Sequence, residues 1–135
     1  MKNADSPRAG GGRKNPPEIL DRTFQFAVEV VKLSGRLDER PGVGRVMMSQ
    51  ILRAGTSIPS NVEEAQAGQS KADFISKMSI ALKEARETHL RLRLLATAKV
   101  LPGTETAALI QEADELKRII GSIIVSAKRN GNSTS

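Results

Sequence analysis

The chain has no cysteine, no tryptophan and no tyrosine, and a single histidine, His89. Without cysteine there is no disulfide framework and no thiolate metal site, which fits a reducing cytoplasm. One histidine and no thiol leave little for covalent catalysis, and no serine or threonine stands in a nucleophile-elbow pattern. Phenylalanine, with three copies, is the whole aromatic complement, so base stacking, the usual route to single-strand recognition, has little to work with. No apolar run reaches the roughly 18 residues of a membrane span, and the N-terminus lacks the apolar centre of a secretory signal. These absences predict a cytoplasmic protein with no catalytic residue, no cofactor, no metal and no membrane partner.

What is present is aliphatic. At 135 residues, 39% of them hydrophobic, one domain is expected, with a core built from Leu, Ile, Val, Met and Ala. Such residues at helical spacing favour a helix bundle over a sheet sandwich. Residues 1–17 hold Pro7, Gly10 to Gly12, Pro16 and Pro17 and little to bury, which predicts a disordered basic arm. The glycines make no phosphate loop, since no strand precedes them and no Gly-Lys-Ser/Thr follows. Residues 18–129 are read as the folded body and 130–135 as a disordered polar tail. The formal charge is +6, of which the arm holds +3. The body is therefore mildly basic.

Four helices are expected. The first starts near Pro17 or Glu18, carries Phe24, Phe26, Ala27, Val28, Val30, Val31 and Leu33, and ends around Gly35 or Leu37. Pro41, Gly42 and Gly44 mark a break. The second takes Val46, Met47, Ile51, Leu52 and Ala54 and resumes through Val62 and Ala65, with Pro59 disfavouring helical geometry at Ile58. Either one kinked helix or two short ones satisfy this; the kink continues the apolar spacing. Ser70 caps the third helix, with Asp73 three residues on, and Leu101-Pro102-Gly103 ends it. Thr104 is a candidate cap for the fourth, which carries Leu109 to Ala127 and the acid-to-base pair Asp114 and Arg118. Gly121 inside it is either a point of close approach or merely tolerated. Short turns between the four predict an up-down-up-down bundle with a kinked second helix.

The third helix is apolar on more than one side. On a wheel, Phe74, Met78, Ala81, Leu82, Ala85, Leu92 and Ala96 fall within about 100° of arc, wide enough for a bundle core. Ile80, Leu90 and Leu94 lie roughly opposite, interleaved with Lys83, Glu87 and Arg91. This second face is a candidate contact with another subunit or a partner. A di-metal centre would need Glu-x-x-His elements, and Arg86 stands three before His89. Glu84 and Glu87 read as surface ion-pair residues, Glu87 with Arg91, and His89 as a hydrogen-bonded residue at the edge of the core. The cations remain: Lys77, Arg86, Arg91, Arg93, Lys117, Arg118, Lys128 and Arg129 are candidate phosphate contacts, with a solvated face as the alternative.

Leu52-Arg53-Ala54-Gly55-Thr56-Ser57-Ile58, Asn61, Glu64-Ala65, Ser70 to Phe74 and Ile80 to Thr88 together resemble a bacterial family of four-helix bundles. It includes the 23S rRNA intervening-sequence proteins and the accessory variability determinants of diversity-generating retroelements. The resemblance runs from about Phe24 to Ala127. It implies a four-helix protomer in a ring-like homopentamer with no established enzymatic activity, accessory members pairing with a reverse transcriptase and binding nucleic acid. Where many relatives carry Tyr-Trp after the Glu-Thr element, this chain has His89 followed by Leu90 and Arg91. The ring is then expected to be closed by Leu90 and Leu94. Charge and resemblance together predict a homo-oligomer that binds RNA or DNA beside a reverse transcriptase; an interaction scaffold without nucleic-acid binding is the rival.

Overall fold

A computed structural model describes residues 16–37 and 42–134. The greater part of the basic arm, and Pro41 of the first break, lie outside the described residues. Four helices account for the described chain: α1 Pro16–Leu37, α2 Val43–Gln66, α3 Lys71–Thr97 and α4 Gly103–Thr134, with no strand among the described residues. Pro16 and Pro17 open α1 instead of closing the arm, as suits residues that lack an N–H where the helix needs none.

Cross-helix pairs set the topology. Glu64 meets Lys77 while Arg53 meets Glu84 and Glu87, so α2 and α3 run antiparallel. Arg36 meets Glu105 while Arg22 meets Glu112 and Glu115, so α1 and α4 do too. Each helix packs on two neighbours, α1 on α2 and α4, α3 on α2 and α4, and the backbones of diagonal helices stay apart. The result is a four-cornered bundle in which α1 and α4 form the shallowest seam.

The core is aliphatic, as the composition requires. Val30, Leu33, Ile51, Ile58, Val62, Met78, Leu92, Leu95, Leu116 and Ile120 are fully buried, each contributing about 1.5–3 kcal/mol by leaving water. Of the three phenylalanines, Phe26 is in this core and Phe74 packs against it, but Phe24 is 52% exposed. It lies on the flank of α1, not on the buried stripe through Val30.

Helix ends follow local chemistry. Ser70 has extended backbone and its hydroxyl accepts from the Asp73 N–H at 3.1 Å, the cap expected for α3. Gly42 caps α2 with φ of 96°, a conformation that favours glycine. α3 ends at Thr97, before the Leu101-Pro102-Gly103 stop, because Lys99 turns left-handed at φ 59°. The Val100 N–H then reaches the Leu95 carbonyl at 3.0 Å and the Lys99 N–H that of Ala96 at 3.1 Å. These are the two bonds of a Schellman ending, with lysine where glycine is usual. α4 starts at Gly103, so Thr104 stands inside the first turn instead of capping it.

α2 is one helix with Pro59 inside it, not two short ones. Gly55, which stands four residues before that proline, is buried, and a Cβ there would sit 3.2 Å from both γ-methyls of Val30. Glycine lets α1 and α2 approach. Gly121 differs: an added Cβ would meet nothing within 4 Å, so it is tolerated and makes no close approach.

Candidate nucleic-acid interface

α3 occupies the corner between α2 and α4, and its two flanks carry different chemistry. Toward α2, Glu84 is buried at 8% exposure. Its Oε1 has no hydrogen-bond partner; the nearest cation is Arg53, whose Nη1 is 3.8 Å away while its Nη2 is 3.8 Å from Glu87 Oε1. Glu87 also takes Arg91 Nη1 at 3.1 Å, the pair one turn apart that the sequence predicts. Two acids and two arginines make this flank neutral. Glu84 as a surface residue is corrected: it sits on the α2 side of the core stripe, and only the packing of α2 covers it.

Toward α4 the balance is different. His89 is 8% exposed, with Lys117 Nζ 3.2 Å from Nδ1 and Asp114 Oδ1 3.9 Å from Nε2. The hydrogen-bonded, core-edge position expected for His89 is what the fold provides. Asp114 also takes Lys117 Nζ at 3.3 Å and the Arg118 guanidinium. Burial, Lys117 and Arg93 push the His89 imidazole below its ordinary proton affinity, and Asp114 opposes them. Asp114 itself titrates below the ordinary range: burial would raise it, but the hydrogen bond from Lys117 and the charge of Arg118 outweigh that.

Of the eight predicted phosphate contacts, four are engaged within the chain: Lys77 with Glu64, Arg91 with Glu87, and Lys117 and Arg118 with Asp114. Arg86, Arg93, Lys128 and Arg129 are exposed and carry no ion pair with another described residue. Arg86 and Arg93 lie on the α4-facing flank of α3, and Arg93 joins Lys117 and Arg118 in acting on His89. The structure thus brings Arg93, Lys117 and Arg118 around His89, opposed there by Asp114; Arg86 shares the helical side of His89 by its spacing, while Arg91 belongs to the other flank.

The three predicted interface residues are exposed, Ile80 at 38%, Leu90 at 48% and Leu94 at 50%. Sequence reasoning missed part of this surface. The register of the Arg53–Glu87 and Glu64–Lys77 pairs puts Val46 level with Leu94, and Val43 and Val46 are both exposed. The signal was the antiparallel pairing of α2 and α3, which spacing within one helix cannot supply.

Among the described residues no group of three or more His, Asp or Glu could hold a metal ion, and no helix is long and apolar enough to cross a membrane.

Antiparallel α-helices around one aliphatic core, with a basic and a neutral flank on the same helix, define a small all-α bundle protein. Residues 17–122 match the family of 23S rRNA-intervening sequence proteins, and the chain belongs to that family. Among solved structures, it is similar to a protein of unknown function from the S23 ribosomal protein family of Bacteroides thetaiotaomicron, at 38% identity and a TM-score of 0.74. That match covers 81% of this chain and 96% of the other. No curated protein matches the chain.

Proposed function

We propose that this chain is a non-enzymatic, homo-oligomeric cytoplasmic bundle that binds nucleic acid through the α3/α4 face, as an accessory subunit of a retroelement reverse transcriptase. The observation that carries the binding is the juxtaposition of Arg93, Lys117 and Arg118 around His89, with Asp114 and Glu115 as the acids beside them; Arg86 stands three residues before His89 on the same side of α3. Phosphates are held by such clusters without reading sequence, and a chain poor in aromatics depends on charge. The accessory role is supported by the motif set from Leu52 to Thr88, which resembles the accessory variability determinants.

Four cations on single-stranded RNA give a logarithmic salt slope of about −3. Titration of mixed single-stranded RNA against salt measures it. The double change Arg86→Glu and Arg93→Glu is expected to abolish binding. Arg91→Glu, on the neutral flank, is expected to leave it within about twofold. No binding at low salt by the wild type sinks the reading, and equal losses from Arg91→Glu sink its placement on the α4 side.

A second reading, a protein-interaction scaffold, is favoured by Val43, Val46, Leu90 and Leu94, each 48% or more exposed. Apolar side chains grouped on a surface mark contacts with other chains. In a ring-like homopentamer this patch would lie between subunits.

A further inference from the structure

His89 is the one imidazole of the chain and stands at the centre of the basic face. Lys117 Nζ lies 3.2 Å from its Nδ1. An ammonium group only donates, so Nδ1 is the acceptor and the neutral ring carries its proton on Nε2, the nitrogen that faces Asp114 Oδ1 across 3.9 Å. While Lys117 stays, Nδ1 has no room for a proton. The charges that act on the ring are Lys117, Arg118 and Asp114 from α4 and Arg93 from its own helix.

Lys117 is thus held twice from within, by Nδ1 and by Asp114 at 3.3 Å. Its side chain keeps 27% of its surface exposed, enough to turn outward when a stronger acceptor arrives. A phosphate is such an acceptor: it brings full opposite charge where the neutral ring offers only a lone pair, and Asp114 keeps Arg118 as its cation when Lys117 leaves. With Lys117 drawn away, Nδ1 is an unsatisfied buried acceptor beside a carboxylate. The cheapest remedy is a proton.

We propose that His89 links proton uptake to polyanion binding at this face: a phosphate that engages Lys117 frees Nδ1 to take a proton from solvent, and the imidazolium pairs with Asp114. At most one proton is gained for each site filled, taken from solvent to form the Nδ1–H bond, and no bond between heavier atoms changes. The linkage rests on the nucleic-acid reading above and adds its pH dependence. Because the bound state holds the proton more tightly than the free state, affinity rises as pH falls through the interval between the two titrations, by at most about tenfold per pH unit. His89 becomes a further residue of the binding site, acting through the lysine it releases.

The test uses the full chain and oligouridylate at fixed ionic strength. The His89 ring resonance, which no other histidine overlaps, is titrated with and without saturating oligomer. Binding is measured at about pH 7.5 and about pH 5.5, the window in which histidine titrates, for the wild type and His89→Gln. Glutamine can still accept from Lys117 but does not titrate. An upward displacement of the His89 titration by about one unit is expected, with binding about fivefold tighter at the lower pH in the wild type and less than twofold in His89→Gln. Oligomer binding that leaves the His89 titration in place overturns the linkage while the nucleic-acid reading stands. Absence of binding at both pH values overturns the two together. Should His89→Gln fail to fold, the wild-type titration decides alone.

Discussion

Alanine at Gly121 and alanine at Gly55 are the same chemical change in two helices, and the structure assigns them opposite outcomes. A glycine inside a helix costs about 1 kcal/mol relative to alanine, through the freedom it surrenders on folding. At Gly121 an added Cβ meets nothing within 4 Å, so the whole of that amount is recovered. At Gly55 the Cβ stands 3.2 Å from both γ-methyls of Val30, a residue with no exposed surface. Overpacking of this kind costs about 1–3 kcal/mol, which cancels or outweighs the helical gain. Denaturant unfolding at one protein concentration should place Gly121→Ala about 1 kcal/mol above the wild type, a few degrees in Tm. Gly55→Ala should fall between the wild type and about 2 kcal/mol below it. A Gly55→Ala protein as stable as Gly121→Ala would refute the close approach of α1 and α2. A destabilised Gly121→Ala would show that another chain covers α4 at that point.

Other outcomes follow from features already described. Lys99→Gly relieves a left-handed lysine and should stabilise by about 1 kcal/mol, read by the same unfolding experiment. Leu90→Asp or Leu94→Asp should shift the mass distribution toward monomer in native mass spectrometry without loss of helical circular dichroism. An unchanged assembly would clear this patch of a role between subunits. Acid should destabilise the fold in two stages. The imidazole of His89 titrates below its ordinary 6.5 in the folded chain, so the unfolded chain takes the proton first and stability declines as pH falls from 6.5. His89→Gln removes this stage. Glu115 is held below the carboxylate range by hydrogen bonds from Arg22 and Gln111, and Asp114 by Lys117 and Arg118 against burial. Their contributions are complete above the unfolded values and vanish as pH falls through the lowered ones. Unfolding midpoints across pH record both stages.

The parts of the fold legible in the sequence were those decided within a few residues. Ser70 caps α3 because its hydroxyl and the Asp73 amide are three positions apart, and Glu87 meets Arg91 for the same local reason. The four helices and the exposed Leu90 and Leu94 likewise follow from periodicity along one helix. What failed depended on a neighbour. Glu84 reads as a surface acid until α2 covers it, and Lys77 reads as a free cation until Glu64 arrives from another helix. Arg91 stands on the flank of α3 away from Arg86 and Arg93, as helical spacing gives, and there it pairs with Glu87. Lys99 shows a different failure: the left-handed turn is set by the carbonyls of Leu95 and Ala96, and the residue type gives no warning.

Arg22 bridges the shallow seam between α1 and α4, with Nη2 2.7 Å from Glu112 Oε1 and 2.9 Å from Glu115 Oε1. Open clefts of about 400 and 340 Å³ lie on either side of it. The other edge of α1 is fastened by Val30 against Gly55, a contact without charge. α1 is therefore a door with a greasy hinge and an ionic latch. Molar salt shortens the reach of charge to about 3 Å and strengthens apolar contact, depending on the ion, so it loosens the latch and leaves the hinge. Amide exchange in α1 should then quicken ahead of α2 and α3, and ionic strength would choose the side from which this bundle opens.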